Sequence, residues 1–162
     1  MVTLETALSI LPIISLVVVL TYYSLQIRNQ NRTRQAQLLM NIMNSYRSPE
    51  FRKQWHTLWN LEWDDFDDFK KKYEGNVEVI TAWTSVITYF ESVGVITKNR
   101  LIDIQLIHSL LAGGIKIVWE RYEPLIMGDR EQFKKYAVAW DDCEYLYHEI
   151  LRYEEQHPEL KP

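Results

Sequence analysis

An uncharged apolar stretch near the N-terminus constrains the fold of this chain more than any other feature. Residues 7–25 read ALSILPIISLVVVLTYYSL and contain no charged side chain. As a helix this stretch is about 28 Å long, close to the hydrocarbon thickness of a bilayer. Tyr22 and Tyr23 lie at one end, where amphipathic rings favour the membrane interface. The stretch therefore predicts a transmembrane helix, in which Pro12 is tolerated.

Two other interpretations of this stretch fit the sequence less well. A signal peptide needs a basic segment before its apolar core and a small-residue cleavage site after it. Here Glu5 precedes the run, and the bulky Tyr22 and Tyr23 occupy the cleavage region. A buried core helix is usually shorter and would not change abruptly to RNQNRTR at residue 28. We therefore expect residues 1–27 to form a membrane anchor.

The basic residues that flank the span predict its orientation. Arg28, Arg32 and Arg34 follow the apolar stretch, whereas no Lys or Arg precedes it. The positive-inside rule then places the C-terminal part in the cytoplasm and the N-terminus outside, in a single-pass protein of the cell membrane. The three arginines would lie at the membrane surface. A lipid-specific cluster usually has about four to eight basic residues, so we interpret them as topogenic flanks.

The remainder of the chain, residues 28–162, reads as one cytosolic helical domain. Residues 28–45 contain no Gly or Pro and predict a stalk helix that continues the span. Ser48 and Pro49 then have the order of an N-cap and a first helical position. The fold class predicted is all-α: one transmembrane helix continuing into a bundle of about five helices.

Further helix boundaries follow from local signals in the middle of the chain. The run DDFDDFKKK at residues 64–72 has acidic residues before basic ones, which suits a short helix dipole, and Gly75 would end that helix. The run lacks the spacing and the glycine of a calcium loop. The next predicted helix covers residues 77–93 and ends at Gly94.

The C-terminal part contains two further predicted helices. Residues 101–118 are apolar almost all round, which is typical of a central helix, with a break at Gly113 and Gly114. Pro124 would close this element, because proline disfavours helix in the residue before it. The last helix is predicted at residues 130–156, with Phe133 and Ala137 facing inward, followed by a frayed tail.

Composition excludes several classes of function. The formal net charge of −4, without a basic face, argues against a nucleic-acid partner. The only cysteine, Cys143, excludes an intrachain disulfide framework and reads as a buried free thiol. Glu144 and His148 are one helical turn apart, but no second copy of such a pair exists, as a dimetal site would require. We expect neither a cofactor nor a metal site.

A few residues remain as candidates for a pocket or an interface. Trp55 and Trp59 belong to an aromatic stripe at helical spacing, which is usually core but is also typical of interface hot spots. Glu91 lies at the edge of an apolar helix face and needs a partner there, by default a basic side chain. The other candidates are His108, Trp119 and Glu120.

The order of these features resembles a family of uncharacterised prokaryotic proteins classed as a domain of unknown function. The matching pieces are the N-terminal apolar helix running into Leu25-Gln26-Ile27-Arg28, the segment FESVG at residues 90–94, and Trp119-Glu120 with Pro124. The resemblance covers most of the chain and implies a membrane helix joined to a helical cytosolic domain. It implies no activity and no functional residues.

The function predicted from the sequence is non-catalytic. We expect a membrane-anchored interaction or accessory protein that acts through helix–helix contacts at the cytoplasmic membrane face, with a protein partner or a second copy of itself. The alternative is a membrane-tethered enzyme or small-molecule sensor. Its site would lie inside the helical domain, where Glu91, His108, Glu120 and a tryptophan would converge on one pocket.

Overall fold

The computed structural model describes residues 4–132 and 139–160, and within them every regular element is helical. The elements are α1 (Leu4–Arg47), α2 (Pro49–Trp59), α3 (Phe66–Tyr73), α4 (Val77–Lys98), α5 (Ile104–Gln132), α6 (Asp141–Gln156) and a 3₁₀ turn at Pro158–Leu160. This confirms the predicted all-α chain, in which a long apolar helix precedes a helical bundle. By its internal contacts the chain divides into two units, one up to Leu38 and one from Leu39 onward.

The first unit is helical, and its apolar side chains are exposed. From Leu11 to Ile27 every large apolar side chain is at least 46% exposed. The hydroxyl groups of Ser15, Thr21 and Ser24 donate to carbonyl oxygens four residues earlier at 2.8–2.9 Å. By length and composition α1 is a candidate membrane span, and its most apolar 18-residue window has a mean hydropathy of 1.5. Helix α4 is nearly as apolar, at 1.4, but 44% of its most apolar part is buried, which is typical of a core helix.

The core of the second unit forms around α4. This helix packs against α2 and α6, and α5 packs against α6. The inward side chains recur at spacings of three and four, as expected of amphipathic helices. Burying each Leu, Ile or Phe contributes roughly 1.5–3 kcal/mol. The largest fully buried side chains include Leu58, Ile87, Phe90, Ile107, Leu111, Ile115, Leu125, Ile126, Leu146 and Ile150.

Local capping signals begin α2 at Ser48 and Pro49 and end α3 before Gly75, as the sequence predicts. The Ser48 Oγ atom accepts a hydrogen bond from the Phe51 N–H at 3.1 Å, and Pro49 is the first helical residue. At α3 the Asp65 carboxylate accepts from the Asp68 N–H at 2.8 Å. Gly75 follows this helix with φ +84°, a left-handed conformation that favours glycine.

The predicted end of α4 at Gly94 is wrong, because the helix continues to Lys98. Gly94 is buried inside α4, where that helix crosses the start of α6. A Cβ atom at this position would lie well inside van der Waals contact of the Asp142 carbonyl group. The glycine therefore permits close approach of two helices and does not terminate one.

The predicted breaks at Gly113, Gly114 and Pro124 are also wrong, because α5 runs through all three. Proline inside a helix removes one backbone hydrogen bond. The residues that follow Pro124, Leu125 and Ile126, are at most 1% exposed, and their burial offsets that loss. Tertiary packing thus overrides the local helix-breaking signals.

The last helix begins later than predicted. Arg130 belongs to the end of α5, and α6 starts at Asp141 after Trp140, whose φ of 64° lies in the left-handed region. The predicted inward residues Phe133 and Ala137 lie outside the described residues. Within the described part of the tail, Pro158–Leu160 form a 3₁₀ turn, and residues 161–162 of the predicted frayed tail lie outside the described residues.

Candidate functional site

The carboxylate of Glu91 caps the N-terminus of α6. Its Oε2 atom accepts a hydrogen bond from the backbone N–H of Cys143 at 2.7 Å. The N-cap residue Trp140 makes no side-chain capping bond of its own, so a side chain from α4 supplies the acceptor that the helix start needs. Burial raises the pKa of Glu91, and the nearby Asp142 charge adds to this. The partner of Glu91 is thus a helix N-terminus, not the basic side chain that the sequence suggested.

Two basic side chains hold the acidic first turn of α6. Arg130 donates to Asp141 Oδ1 at 2.9 Å and to Glu144 Oε2 at 2.7 Å. Lys98, at the end of α4, lies 2.6 Å from Asp142 Oδ1. These contacts connect the ends of α4 and α5 to the start of α6.

Cys143 lies in this first turn as a buried free thiol. Burial raises its pKa to about 12. The thiolate is the reactive form of cysteine, so the side chain acts as a small apolar core group.

His108 belongs to a half-buried charge network between α5 and α6. Its Nε2 atom lies 3.2 Å from Glu154 Oε1, and the Lys116 ammonium group lies 2.8 Å from the same oxygen. The hydrogen bond from Lys116 holds the pKa of Glu154 below its ordinary value, although burial opposes it, and the bond to His108 lowers it further. The network satisfies a carboxylate that is only 8% exposed.

Trp119 and Glu120 both contact Tyr147 of α6. The Trp119 ring is buried and stacks on the Tyr147 ring at a centroid distance of 5.7 Å. Glu120 is exposed, and its Oε1 atom accepts a long hydrogen bond of 3.5 Å from the Tyr147 hydroxyl group. Trp119 thus belongs to the core and Glu120 to the surface.

Trp59 forms part of a cation–π arrangement at the end of α2. The Arg121 guanidinium group lies 4.9 Å from the Trp59 ring centroid and 5.0 Å from that of Trp63. It also donates to the carbonyl oxygens of Trp59 at 3.2 Å and Leu61 at 3.0 Å. Arg121 therefore satisfies carbonyl groups at the C-terminus of α2, where a positive charge is favoured.

Trp55 lies in a second aromatic cluster that joins α2 to α4 and to the end of α1. Its ring is 6.0 Å from Phe90 and 6.2 Å from Tyr46. The Tyr89 hydroxyl group donates to the Ile42 carbonyl oxygen at 3.0 Å. The aromatic stripe of α2 is thus divided, with Trp55 half-buried in the cluster and Trp59 46% exposed.

The ionisable candidates do not share one pocket. Each contacts α6 at a different residue: Glu91 at Cys143, Glu120 at Tyr147 and His108 at Glu154. The first and last of these positions are about 16 Å apart along a helix. In the part of the chain that the structure describes, no group of three His, Cys, Asp or Glu side chains could hold a metal ion. Glu144 and His148 approach to 3.9 Å.

Sequence reasoning missed Arg121 and Glu154, two charged residues that form contacts between helices at these sites. A signal existed for Glu154, because it continues the buried stripe of Leu146 and Ile150 at a spacing of four. A carboxylate at the next position of an apolar stripe needs a buried partner. No local signal marks Arg121, since its partners are about sixty residues away.

Arg28, Arg32 and Arg34 are all exposed on α1. Positions 28 and 32 share one helix face, and position 34 lies on another. The chain therefore presents positive charge on more than one side of α1 directly after its apolar run.

Comparison with known proteins identifies a family without an assigned activity. Residues 11–158 match the family model described as "Domain of unknown function (DUF4760)". No curated protein and no solved structure gives a significant match. Because the family model covers both the apolar helix and nearly all of the helical domain, the chain belongs to this domain-of-unknown-function family.

Proposed function

We propose that this chain is a membrane-anchored interaction or accessory protein, whose helical domain α1 holds at the cytoplasmic face of the cell membrane. There the domain binds a protein partner or a second copy of the chain through helix faces. The observation that carries the proposal is the exposed apolar run of α1 from Leu11 to Ile27.

A bilayer is the environment in which this part of α1 is stable. Each exposed CH₂ group costs about 0.8 kcal/mol in water relative to an apolar surrounding. Helical hydrogen bonds pair the backbone of this part of α1, apart from the one bond that Pro12 removes, and the hydroxyl groups of Ser15, Thr21 and Ser24 donate to backbone carbonyl oxygens. A helix meets the requirement of the hydrocarbon region, where a proline is tolerated.

The orientation with the N-terminus outside rests on Arg28, Arg32 and Arg34, under the positive-inside rule. A fluorescent protein that matures only in the cytoplasm, fused after Pro162, should be bright. Replacing all three arginines with Glu should reduce this signal, whereas replacing the distant Lys70, Lys71 and Lys72 with Glu should not. A dark fusion of the unaltered chain would refute the orientation.

A non-catalytic role is supported by the hydrogen bonds that the candidate acid–base side chains already make within the fold. Glu91 is occupied in capping α6, and His108 is bonded to Glu154. A general base must instead reach a substrate proton. The second candidate, a membrane-tethered small-molecule sensor, is favoured by a single observation, the cavity beside Trp55 that is described in the next subsection.

Membrane anchoring is tested by placing charge inside the apolar run. The double variant carries Val17→Arg and Leu20→Arg. Each arginine costs about 2.5–3.5 kcal/mol at the centre of a bilayer. We expect this double variant to move from the membrane pellet to the soluble fraction on alkaline carbonate extraction. The matched control, with Asn29→Arg and Gln30→Arg, should stay in the pellet. Release of the unaltered chain into the soluble fraction by alkaline carbonate would refute the membrane anchor.

The interaction role is tested on the full chain extracted in a mild detergent. Size-exclusion chromatography with mass analysis should show a stable oligomer or a stoichiometric partner. A monomer that elutes alone, also after chemical crosslinking in intact membranes, would contradict the interaction role while leaving the anchor intact.

A further inference from the structure

A cavity of about 480 Å³ lies where the end of α1, the first turns of α2 and the start of α5 meet. All its lining residues belong to the second unit. Its size falls in the range of small-molecule sites, roughly 300–1,000 Å³. It contains none of the ionisable candidates Glu91, His108 and Glu120.

One side of the cavity is aromatic and preorganised. The Phe51 ring lies 5.5 Å from Tyr46 and 6.1 Å from Trp55, measured between centroids. Phe51 is fixed in place because it is 8% exposed and its backbone N–H is bonded to the Ser48 cap. Leu110 lies on the α5 side of the cavity and is 45% exposed. These surfaces suit a flat apolar body.

The charged side chains that line the cavity are both arginines. Arg47 and Arg52 line it and are exposed, and no Asp or Glu is among its lining residues. Among the described residues, no carboxylate oxygen lies within 4.0 Å of either guanidinium group, the distance at which an ion pair forms. Glu50 is two positions from Arg52 on α2, a spacing at which helix side chains do not face each other. The guanidinium groups are therefore available to an anion.

We propose that this cavity binds a small organic anion with a flat apolar body, its carboxylate or phosphate group held by Arg47 and Arg52. Guanidinium groups bind such oxyanions through two parallel hydrogen bonds. The rings of Tyr46, Phe51 and Trp55 pack against the apolar body. The charged head stays at the open side, so the ligand need not bury its charge.

The test uses the full chain in phosphatidylcholine nanodiscs, titrated with naphthalene-2-sulfonate by isothermal calorimetry and corrected with empty nanodiscs. We expect saturable binding of one ligand per chain. The neutral naphthalene-2-sulfonamide should bind about tenfold more weakly, as should the sulfonate to Arg47→Gln or Arg52→Gln, because charged hydrogen bonds are lost.

The matched control is Lys53→Gln, which removes one positive charge next to Arg52. The Lys53 side chain is 79% exposed and faces Glu78 at 3.9 Å, outside the cavity. We expect unchanged affinity in this variant. Ser109→Phe should block binding without changing charge, because Ser109 is an exposed lining residue. Thermal melts show whether each variant is folded.

The proposal is overturned if the sulfonate does not bind saturably, if folded Arg47→Gln and Arg52→Gln bind it equally well, or if the sulfonamide binds as tightly. A further titration in nanodiscs that contain phosphatidylglycerol separates two sources of the anion. Competition by this lipid would identify a lipid headgroup as the natural ligand, and unchanged binding would identify a soluble anion. Either result supports the site.

Discussion

The side chain of Glu91 on α4 and the backbone of Cys143 on α6 are joined by a hydrogen bond of 2.7 Å from the Cys143 N–H to Oε2. Fifty-two positions separate these residues in the chain. The bond gives the start of α6 an acceptor and places a negative charge at the positive end of the helix dipole.

Removing the Glu91 cap should destabilise the fold. Glu91→Ala should lower the free energy of unfolding by about 1 kcal/mol, the usual effect of losing a cap. Thermal unfolding of the full chain in detergent, followed by circular dichroism, measures this. Ser92→Ala changes the exposed neighbouring residue and should be nearly neutral. Equal melting temperatures for Glu91→Ala and the unaltered chain would show that the cap does not contribute.

The effect of Glu91→Gln on the free energy of unfolding should depend on pH. Burial raises the folded-state pKa of Glu91, so the fold favours its protonated form. The stability that this group contributes is present at low pH and is lost as the pH rises from the unfolded pKa through the folded pKa. Glu91→Gln, which does not ionise, should therefore gain stability relative to the unaltered chain between about pH 4 and neutral pH. A difference in the free energy of unfolding between Glu91→Gln and the unaltered chain that stays constant across this range would contradict the prediction.

The contribution of Glu154 to the free energy of unfolding should have the opposite pH dependence. The Lys116 hydrogen bond lowers its folded-state pKa, so its contribution is present above the unfolded pKa and is lost as the pH falls through the folded pKa. Glu154→Gln should cost about 1–3 kcal/mol at neutral pH, and this cost should shrink below about pH 4. The neighbouring Glu155 is exposed, and Glu155→Gln should have no such effect. A cost that stays constant down to acid pH would refute the role of the charge.

Gly94 of α4 and Gly113 of α5 should respond in opposite directions to replacement by alanine. Gly94→Ala places a methyl group against the Asp142 carbonyl group and should cost about 1–3 kcal/mol, because α4 and α6 must separate. Gly113 has nothing within 4 Å of the added Cβ, so Gly113→Ala should stabilise α5 by about 0.5–1 kcal/mol. Denaturant titration of both variants measures the difference. A stable Gly94→Ala variant would mean that the α4–α6 crossing is not as close as described.

Arg121 should not be replaceable by lysine. A lysine ammonium group keeps the charge but loses the planar group that lies over Trp59 and Trp63 and donates to two carbonyl oxygens. We expect Arg121→Lys to cost about 1–2 kcal/mol and to shift tryptophan fluorescence to the red. The exposed Arg152, which pairs with Glu149 in the preceding turn, provides the control, because Arg152→Lys should change neither the stability nor the fluorescence. An unshifted spectrum for Arg121→Lys would refute the stacking role.

Several expectations that rest on one residue and its close neighbours agree with the structure. Ser48 with Pro49 and Gly75 act through bonds or dihedral angles within a few positions. The apolar run of α1 likewise needs no distant partner to be recognised. Such features are readable because their physical cause lies in the same short segment.

Three of the expectations that failed concern Gly94, Gly114 and Pro124, where a contact with another segment or the burial of neighbouring residues outweighs a local helix-breaking signal. Gly94 reads as a helix end, but α6 packs against it. Pro124 reads as a break, but the burial of Leu125 and Ile126 keeps α5 continuous. Propensities of these residues amount to about 1–3 kcal/mol, which a few buried side chains exceed.

The sequence by itself determined the helical class, the apolar N-terminal helix and several helix starts, because each depends on hydrophobic period or on a cap within one turn. Only the tertiary structure decided the roles of the ionisable residues. Glu91 became the cap of α6, His108 became a partner of Glu154, and Arg47 and Arg52 came to line one cavity. The physical reason is that these roles depend on distances between helices, and the period within each helix does not encode such distances.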